Sequence, residues 1–184
     1  GELNEPIWES TPEANDFIQI QPFNGKPATQ RNSIKVLYNN NALFISAILY
    51  DTYPDSIFTI LSARDDIGIT DYFGITLDTY NDGLSSYGFY VTAAGVQVDL
   101  KIYEEDKDYD WDAVWESAVT INDSSWIVEM RIPYSAIRFP KSDIQSWGIN
   151  MFRNIQRCRE KTSWNFVDSK ILGESKQAGQ LIGI

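Results

Sequence analysis

The chain has 184 residues, 43% apolar and 22% charged, with 15 Lys and Arg against 26 Asp and Glu, a formal net charge of −11. That is the size and composition of one globular domain able to bury a core without disulfide staples, and no apolar run approaches the ~20 residues of a membrane helix. The negative balance argues against phosphate backbones and anionic lipid as partners and leaves neutral ligands and cations open, while the absence of histidine removes imidazole-based acyl transfer and the usual zinc sites.

Residues 1–12 form a polar opening with one large apolar side chain, Trp8, expected to plug the end of a core. Phe17 to Ile20 reads as a short strand and Asn24-Gly25-Lys26-Pro27 as a turn. Ile34, Val36 and Tyr38 then alternate, Asn39-Asn40-Asn41 turns, and Leu43 to Tyr50 is a nearly continuous apolar strand suited to the middle of a sheet. Together these predict a hairpin. Asp51 to Asp55 is a turn, Ile57 to Leu61 a short strand or helical turn, and Arg64-Asp65-Asp66 a charged loop cluster.

Tyr72 to Thr79 is a strand with Phe73, Ile75 and Leu77 facing in, closed by the turn Tyr80-Asn81-Asp82-Gly83. Tyr87 to Thr92 follows; after a bend at Ala94-Gly95, Val96, Val98, Leu100 and Ile102 line one face of the next strand. Glu104 to Asp112 is an acidic loop. A second hairpin carries Ala113, Trp115, Ser117, Val119 and Ile121 on one face of its first strand, and Trp126, Val128, Met130 and Ile132 on one face of its second. Pro133 ends it, since proline has no N–H for the ladder, and Tyr134 to Ile137 reads as one helical turn. Ser146 to Ile155 is a further strand, with Arg153, Arg157 and Arg159 concentrating positive charge near it. Trp164 to Val167 is expected to add a short strand and Lys176 to Ile184 a weak last one, and the lack of a polar tail suggests a longer protein continuing beyond it. Nine or so strands with at most one or two short helical turns predict an all-β fold, an antiparallel β-sandwich of jelly-roll type, with residues 1–184 as a single domain.

Three features could carry chemistry. Asp110, Asp112 and Glu116 could supply the two acids a glycosidase sets across a cleft. Asp51, Asp55, Asp78, Asp82, Asp108 and Asp110 sit at strand ends or in loops, where hard oxygen ligands could hold a structural Ca²⁺. The chain also has 6 Trp, 10 Tyr and 9 Phe. A flat indole can stack on the C–H face of a sugar while polar side chains meet its hydroxyls. Trp111 and Tyr109, in the acidic loop, are expected to be exposed. Trp115, on the face of Val119 and Ile121, belongs behind that platform, and Trp126 and Trp147 belong to the core. Arg64, held by its adjacent acids, and Asp71 are the expected hydroxyl partners.

GELNEPIW resembles the Asp-Gly-x-Leu-Asp-Glu-x-x-Trp opening of family 9 carbohydrate-binding modules and their relatives. IKVLYNNNALFISAILYD is similar to their first long hairpin, and WIVEMRIPYSAI to their Trp-x-Val-Glu-x-x-Ile-Pro-x-x-x-Leu segment. RDDIGITDYFGITLDTYNDG, GVQVD and WDAVWESA resemble a subgroup in exported bacterial proteins, where the module precedes a large β-rich C-terminal region. Gly1 stands where the pattern begins Asp-Gly, and Asn4 replaces an Asp. The resemblance implies a β-sandwich, structural calcium and sugar binding by stacked tryptophans. The expectation is a non-catalytic module, with no required cofactor, that binds oligo- or polysaccharide. Its expected setting is an exported protein of polysaccharide use, periplasmic, outer-membrane-associated or extracellular, with a downstream domain as its other partner. It is not expected to bind nucleic acid or to insert in a membrane. The alternative is a docking module that packs on the downstream β-rich domain without binding sugar.

Overall fold

The computed structural model describes residues 3–104 and 106–184; Gly1 and Glu2 of the opening motif and Glu105 of the acidic loop lie outside these. Along the described chain run β1 (Ile18–Gln21), β2 (Asn32–Tyr38), β3 (Ala42–Tyr50), β4 (Tyr72–Asp78), β5 (Ser85–Thr92) and β6 (Gln97–Tyr103). They are followed by β7 (Asp106–Asp108), β8 (Glu116–Ile121), β9 (Ser125–Pro133), β10 (Ser146–Ile155), β11 (Glu160–Ser163) and β12 (Gly179–Ile182). One helical turn, α1 (Ile7–Ser10), precedes them and carries the buried Trp8. The strands make two antiparallel sheets. The smaller has the order β2-β3-β9-β8; the larger runs β1-β11-β10-β4-β5-β6-β7, with β12 also paired to β10.

Alternation decides what lies between the sheets. Ile34, Leu43, Ile45, Leu49, Trp126, Val128, Met130 and Ile132 from the smaller sheet meet Phe73, Ile75, Leu77, Phe89, Val91, Trp147, Ile149 and Met151 from the larger, all buried in one cluster. Each strand inserts every second side chain, and this burial is the main stabilising term. The two predicted hairpins form as read, β2 with β3 and β8 with β9, and β3 and β9 pair at the centre of the smaller sheet.

The larger sheet has a second apolar cluster on its outer face, built from Tyr90, Val98, Leu100, Ile102, Phe152 and Val167. The apolar row of β6 therefore points away from the space between the sheets, and β6 turns Gln97, Asp99 and Lys101 inward. Tyr90 lies flat over its ladder partner Gly74: a Cβ there would meet the Tyr90 ring at 2.0 Å.

Four stretches differ from the sequence-based expectation. Ile57 to Leu61 forms neither strand nor helical turn; Ile57 is buried, while Ile60 and Leu61 project into solvent. The acidic loop contains a short strand, β7, laid along β6. Trp164 to Val167 is not a strand, because the Asn150 carboxamide takes the bonds a ladder would have used, accepting from Asn165 N–H at 2.9 Å and donating to Asn165 O at 3.0 Å. The strand there is β11, whose Glu160, Thr162 and Ser163 are buried polar residues. Finally, Arg153 lies on the inner face of β10, fully buried. It donates to Asn32 Oδ1 at 2.9 Å and Arg31 O at 3.3 Å, and faces Asp51, which also receives a two-pronged bond from Arg157 at 2.8 and 2.7 Å. Burial pulls the Arg153 guanidinium down to about 10, against the pull of Asp51, Asp71 and Glu160.

Candidate functional site

Residues 109–115 cross from the edge of the larger sheet, at β7, to the edge of the smaller, at β8. What fixes this crossing is the inward-facing Asp99 of β6. Its Oδ1 accepts the Trp115 indole N–H at 3.0 Å, its Oδ2 accepts the Ala113 N–H, and the Arg64 guanidinium donates to Oδ1. Arg64 also donates to Ala113 O at 3.1 Å and to Gln97 Oε1 at 2.8 Å. Gln97 in turn donates to Trp115 O at 3.3 Å and Ser117 Oγ at 3.1 Å. Burial raises the Asp99 carboxyl above the usual carboxylate range, although the Trp115 and Ala113 N–H groups and Arg64 hold it down. An inward carboxylate in a sandwich is tolerable here because the crossing segment supplies the Trp115 and Ala113 N–H groups and the β3–β4 connection supplies Arg64.

Trp111 rides on that pinned segment. Its ring lies 5.0 Å from the ring of Tyr87, tilted by 46°, and meets Phe89 edge to face at 5.9 Å. Phe89 meets the buried Trp115 edge to face at 5.3 Å. Four rings thus form one stack, with Trp115 and Phe89 in the core and Trp111 and Tyr87 half-buried at its top. The top opens into a concavity of about 540 Å³ whose lining includes Tyr87, Lys101, Trp111, Asp112, Ser135 and Arg138. Lys101 Nζ lies 5.4 Å from the Trp111 ring centre and 5.9 Å from that of Tyr87. Arg138 follows the 3-10 turn Tyr134–Ala136; its N–H donates to Tyr87 Oη at 3.3 Å and its carbonyl accepts from Thr79 Oγ1 at 2.5 Å. A rigid aromatic surface beside fixed polar groups, open to solvent, suits a ligand with one apolar face and a polar rim.

The expected site residues divide. Trp111 lies at the concavity, half-buried rather than exposed, and Trp115 lies buried behind it. Arg64 is not held by two adjacent acids. Asp65 lies 3.5 Å from its Nε, but its main partner is Asp99, and Asp66 instead accepts Gly68 N–H at 3.0 Å. Its guanidinium supports the crossing segment rather than facing the concavity. Tyr109 is exposed but lies close enough to Tyr72, Tyr90 and Lys161 to act on them electrostatically, which places it on the outer side of the larger sheet. It is not brought together with Trp111. Asp71 is fully buried at the opposite end of the sandwich, six residues along β4 from Leu77, the ladder partner of Tyr87, or about 20 Å away. There it accepts Gln156 N–H at 2.8 Å, and burial raises its carboxyl despite the nearby Arg153 and Arg157.

Two of the acids considered for hydrolysis separate too. Asp112 lines the Trp111 concavity, whereas Glu116 is bonded to Arg131 at 3.0 Å across the ladder and lines a different hollow with Trp8 and Phe44. Nor do the six aspartates considered for calcium converge. Among the described residues no three acids gather closely enough to share an ion, and Asp51 is already engaged by two guanidinium groups. Tyr87, Lys101 and Arg138 were not singled out in the sequence. For Tyr87 and Lys101 the signal was the alternation that sets Tyr87 beside Phe89 and Lys101 beside Asp99, legible only once the inward face of β6 is known; Arg138, after a 3-10 turn, had no such signal.

The family model described as carbohydrate family 9 binding domain-like matches residues 1–170. Two solved structures of a family 9 carbohydrate-binding module from Caldicellulosiruptor kristjanssonii share the fold at 16% identity and cover 99% of this chain. The one in complex with cellotriose has a TM-score of 0.67 with 86% of its own chain covered, and the one in complex with glucose 0.69 with 88% covered. A candidate carbohydrate-binding protein from Bacteroides uniformis gives 0.72 at 12% identity, over 96% of this chain and 88% of its own. No curated protein matches.

Proposed function

This chain belongs to the carbohydrate family 9 binding domain-like family, and from that premise we propose that it binds oligo- or polysaccharide at the Trp111 concavity without turning it over. The observation that carries the proposal is the position of the Trp111 indole, half-buried on a stack of rings and facing an open hollow. A ring already immobilised loses little entropy when a sugar stacks on it. Trp111 and Tyr87 supply the platform, Asp112 and Ser135 meet hydroxyls, Trp115 backs the rings, and Arg64 positions the segment. Tyr109 and Asp71 have no part in it. Asp112 is the one carboxylate among the described lining residues, so the two-acid arrangement of a glycosidase is not assembled there. The related modules were solved with cellotriose and glucose, which makes gluco-oligosaccharides the first probes. An exported setting and a role in polysaccharide use go with this reading through the family resemblance. The test is calorimetric titration with cellotriose and a panel of oligosaccharides. Binding that Trp111→Ala abolishes, without loss of the folded spectrum, supports the proposal; no heat with any saccharide ends it.

A docking role is the second reading. It draws on Tyr53, Ile60, Leu61 and Ile69, all large and exposed on the long connection between β3 and β4. Charged substitutions at Ile60 and Leu61 that leave a longer form of the protein equally compact in scattering would count against it.

A further inference from the structure

The lining of the Trp111 concavity carries a small positive excess, two cations against the one carboxylate of Asp112 among the described residues. Two cations line it, Lys101 and Arg138. Arg31, Arg64, Arg131, Arg153, Arg157 and Lys161 each have a carboxylate within 4.0 Å. Neither Lys101 nor Arg138 has one among the described residues; Lys26, Lys35, Lys141, Arg159, Lys170 and Lys176 have none either, and what sets Lys101 and Arg138 apart is that they line one concavity together. This happens in a chain where acids outnumber bases by 26 to 15.

Neither of the nearby acids pairs with the two cations. Asp108 is the ladder partner of Lys101, yet its Oδ1 accepts the Asp110 N–H at 3.1 Å. Asp112 lines the hollow, but its Oδ1 lies 4.0 Å from Arg64 Nε. Meanwhile the cations are well placed. Lys101 is anchored in a strand with its ammonium beside two ring faces, an attraction that holds the charge without cancelling it. The Arg138 backbone is gripped on one side by Tyr87 and on the other by Thr79. An unpaired ammonium beside an aromatic platform, with an unpaired arginine lining the same hollow, forms a receptor for an oxyanion attached to a flat ring.

We infer that the ligand of this concavity is an anionic glycan, whose ring stacks on Trp111 while its oxyanion substituent, a uronate carboxylate or a sulfate ester, meets Lys101 and Arg138. The inference rests on the Trp111 reading of the site and adds the substrate class. The negative charge of the rest of the surface does not oppose it, because charges more than about 8 Å away are largely screened at physiological salt, while contacts inside the hollow are not.

The test compares trigalacturonate, a sulfated galactotriose and neutral galactotriose by calorimetry at low and high salt. An anionic trisaccharide is expected to bind at least about ten-fold more tightly than the neutral one at low salt, with the advantage shrinking as salt rises. Tighter binding of trigalacturonate than of the sulfated sugar identifies the carboxylate as the preferred group, and the reverse order the sulfate. In Lys101→Met/Arg138→Gln the ratio of anionic to neutral affinity should fall to near one, and Lys101→Arg should keep it. Both residues line the hollow and neither is in the core, and a near-ultraviolet spectrum checks that the double variant is folded. Equal affinity for neutral and anionic sugars, still dependent on Trp111, overturns this inference and leaves the carbohydrate-binding reading standing. Absence of binding to all three, and to the gluco-oligosaccharides, overturns both.

Discussion

The indole N–H of Trp115 donates to Asp99 Oδ1 at 3.0 Å, and this bond ties the segment that carries the site to the strand beneath it. Both groups are buried, so neither can turn to water for a replacement partner.

Asp99→Ala should therefore destabilise the domain by about 2–4 kcal/mol, because it strands the Trp115 and Ala113 N–H groups and removes the partner of Arg64. Urea unfolding measures this. The same variant should weaken saccharide binding, since Trp111 loses its anchored base. A loss below about 0.5 kcal/mol would show that the knot is dispensable.

Gly74→Ala tests the outer face of the larger sheet. The new Cβ would sit 2.0 Å from the Tyr90 ring, which is buried among Val98, Leu100 and Phe152 and has no room to swing away. Overpacking of this kind costs about 1–3 kcal/mol, so the thermal midpoint should drop by several degrees. An unchanged midpoint would mean that the outer cluster contributes little to stability.

Asp71 gives a pH signature. Its carboxyl is raised by burial, with the Gln156 N–H, Arg153 and Arg157 pulling the other way. A carboxyl whose folded value exceeds the unfolded one binds more protons when folded. Its stabilising contribution is complete below the ordinary value of 3.8 and is lost as pH rises through the raised folded value. Relative to Asp71→Asn, the wild type should lose ground in denaturant titrations as pH rises above the ordinary value of 3.8. A wild type that gains on the variant over that range would show that pairing with Arg153 and Arg157 outweighs burial.

The parts of this fold that rest on local alternation could be read from the sequence. Trp126, Val128, Met130 and Ile132 share the inner face of β9, and Ser146 to Ile155 is a strand over the residues expected. Alternation does not say which side of a sheet an apolar row faces. Val98, Leu100 and Ile102 made β6 legible as a strand, yet they cover the outer face, and the polar row with Asp99 and Lys101 faces the proposed site. β11 was hidden for the opposite reason. Its Glu160 is buried because it accepts Thr29 N–H at 3.0 Å from a segment 131 residues away, a partner no local pattern announces. The site was half visible for the same cause. Trp111 stood out by its polar neighbours, whereas Tyr87, Lys101 and Arg138 reach it from three separate elements.

The central claim is that, of the six tryptophans, Trp111 meets the ligand. Two-dimensional ¹H–¹⁵N spectra resolve each indole N–H, and Trp111→Phe identifies its signal by disappearance. Titration with the best-binding trisaccharide should shift the Trp111 indole most, Trp115 less, and leave the buried Trp126 and Trp147 in place. A saturable shift at another tryptophan with Trp111 unmoved would contradict the account.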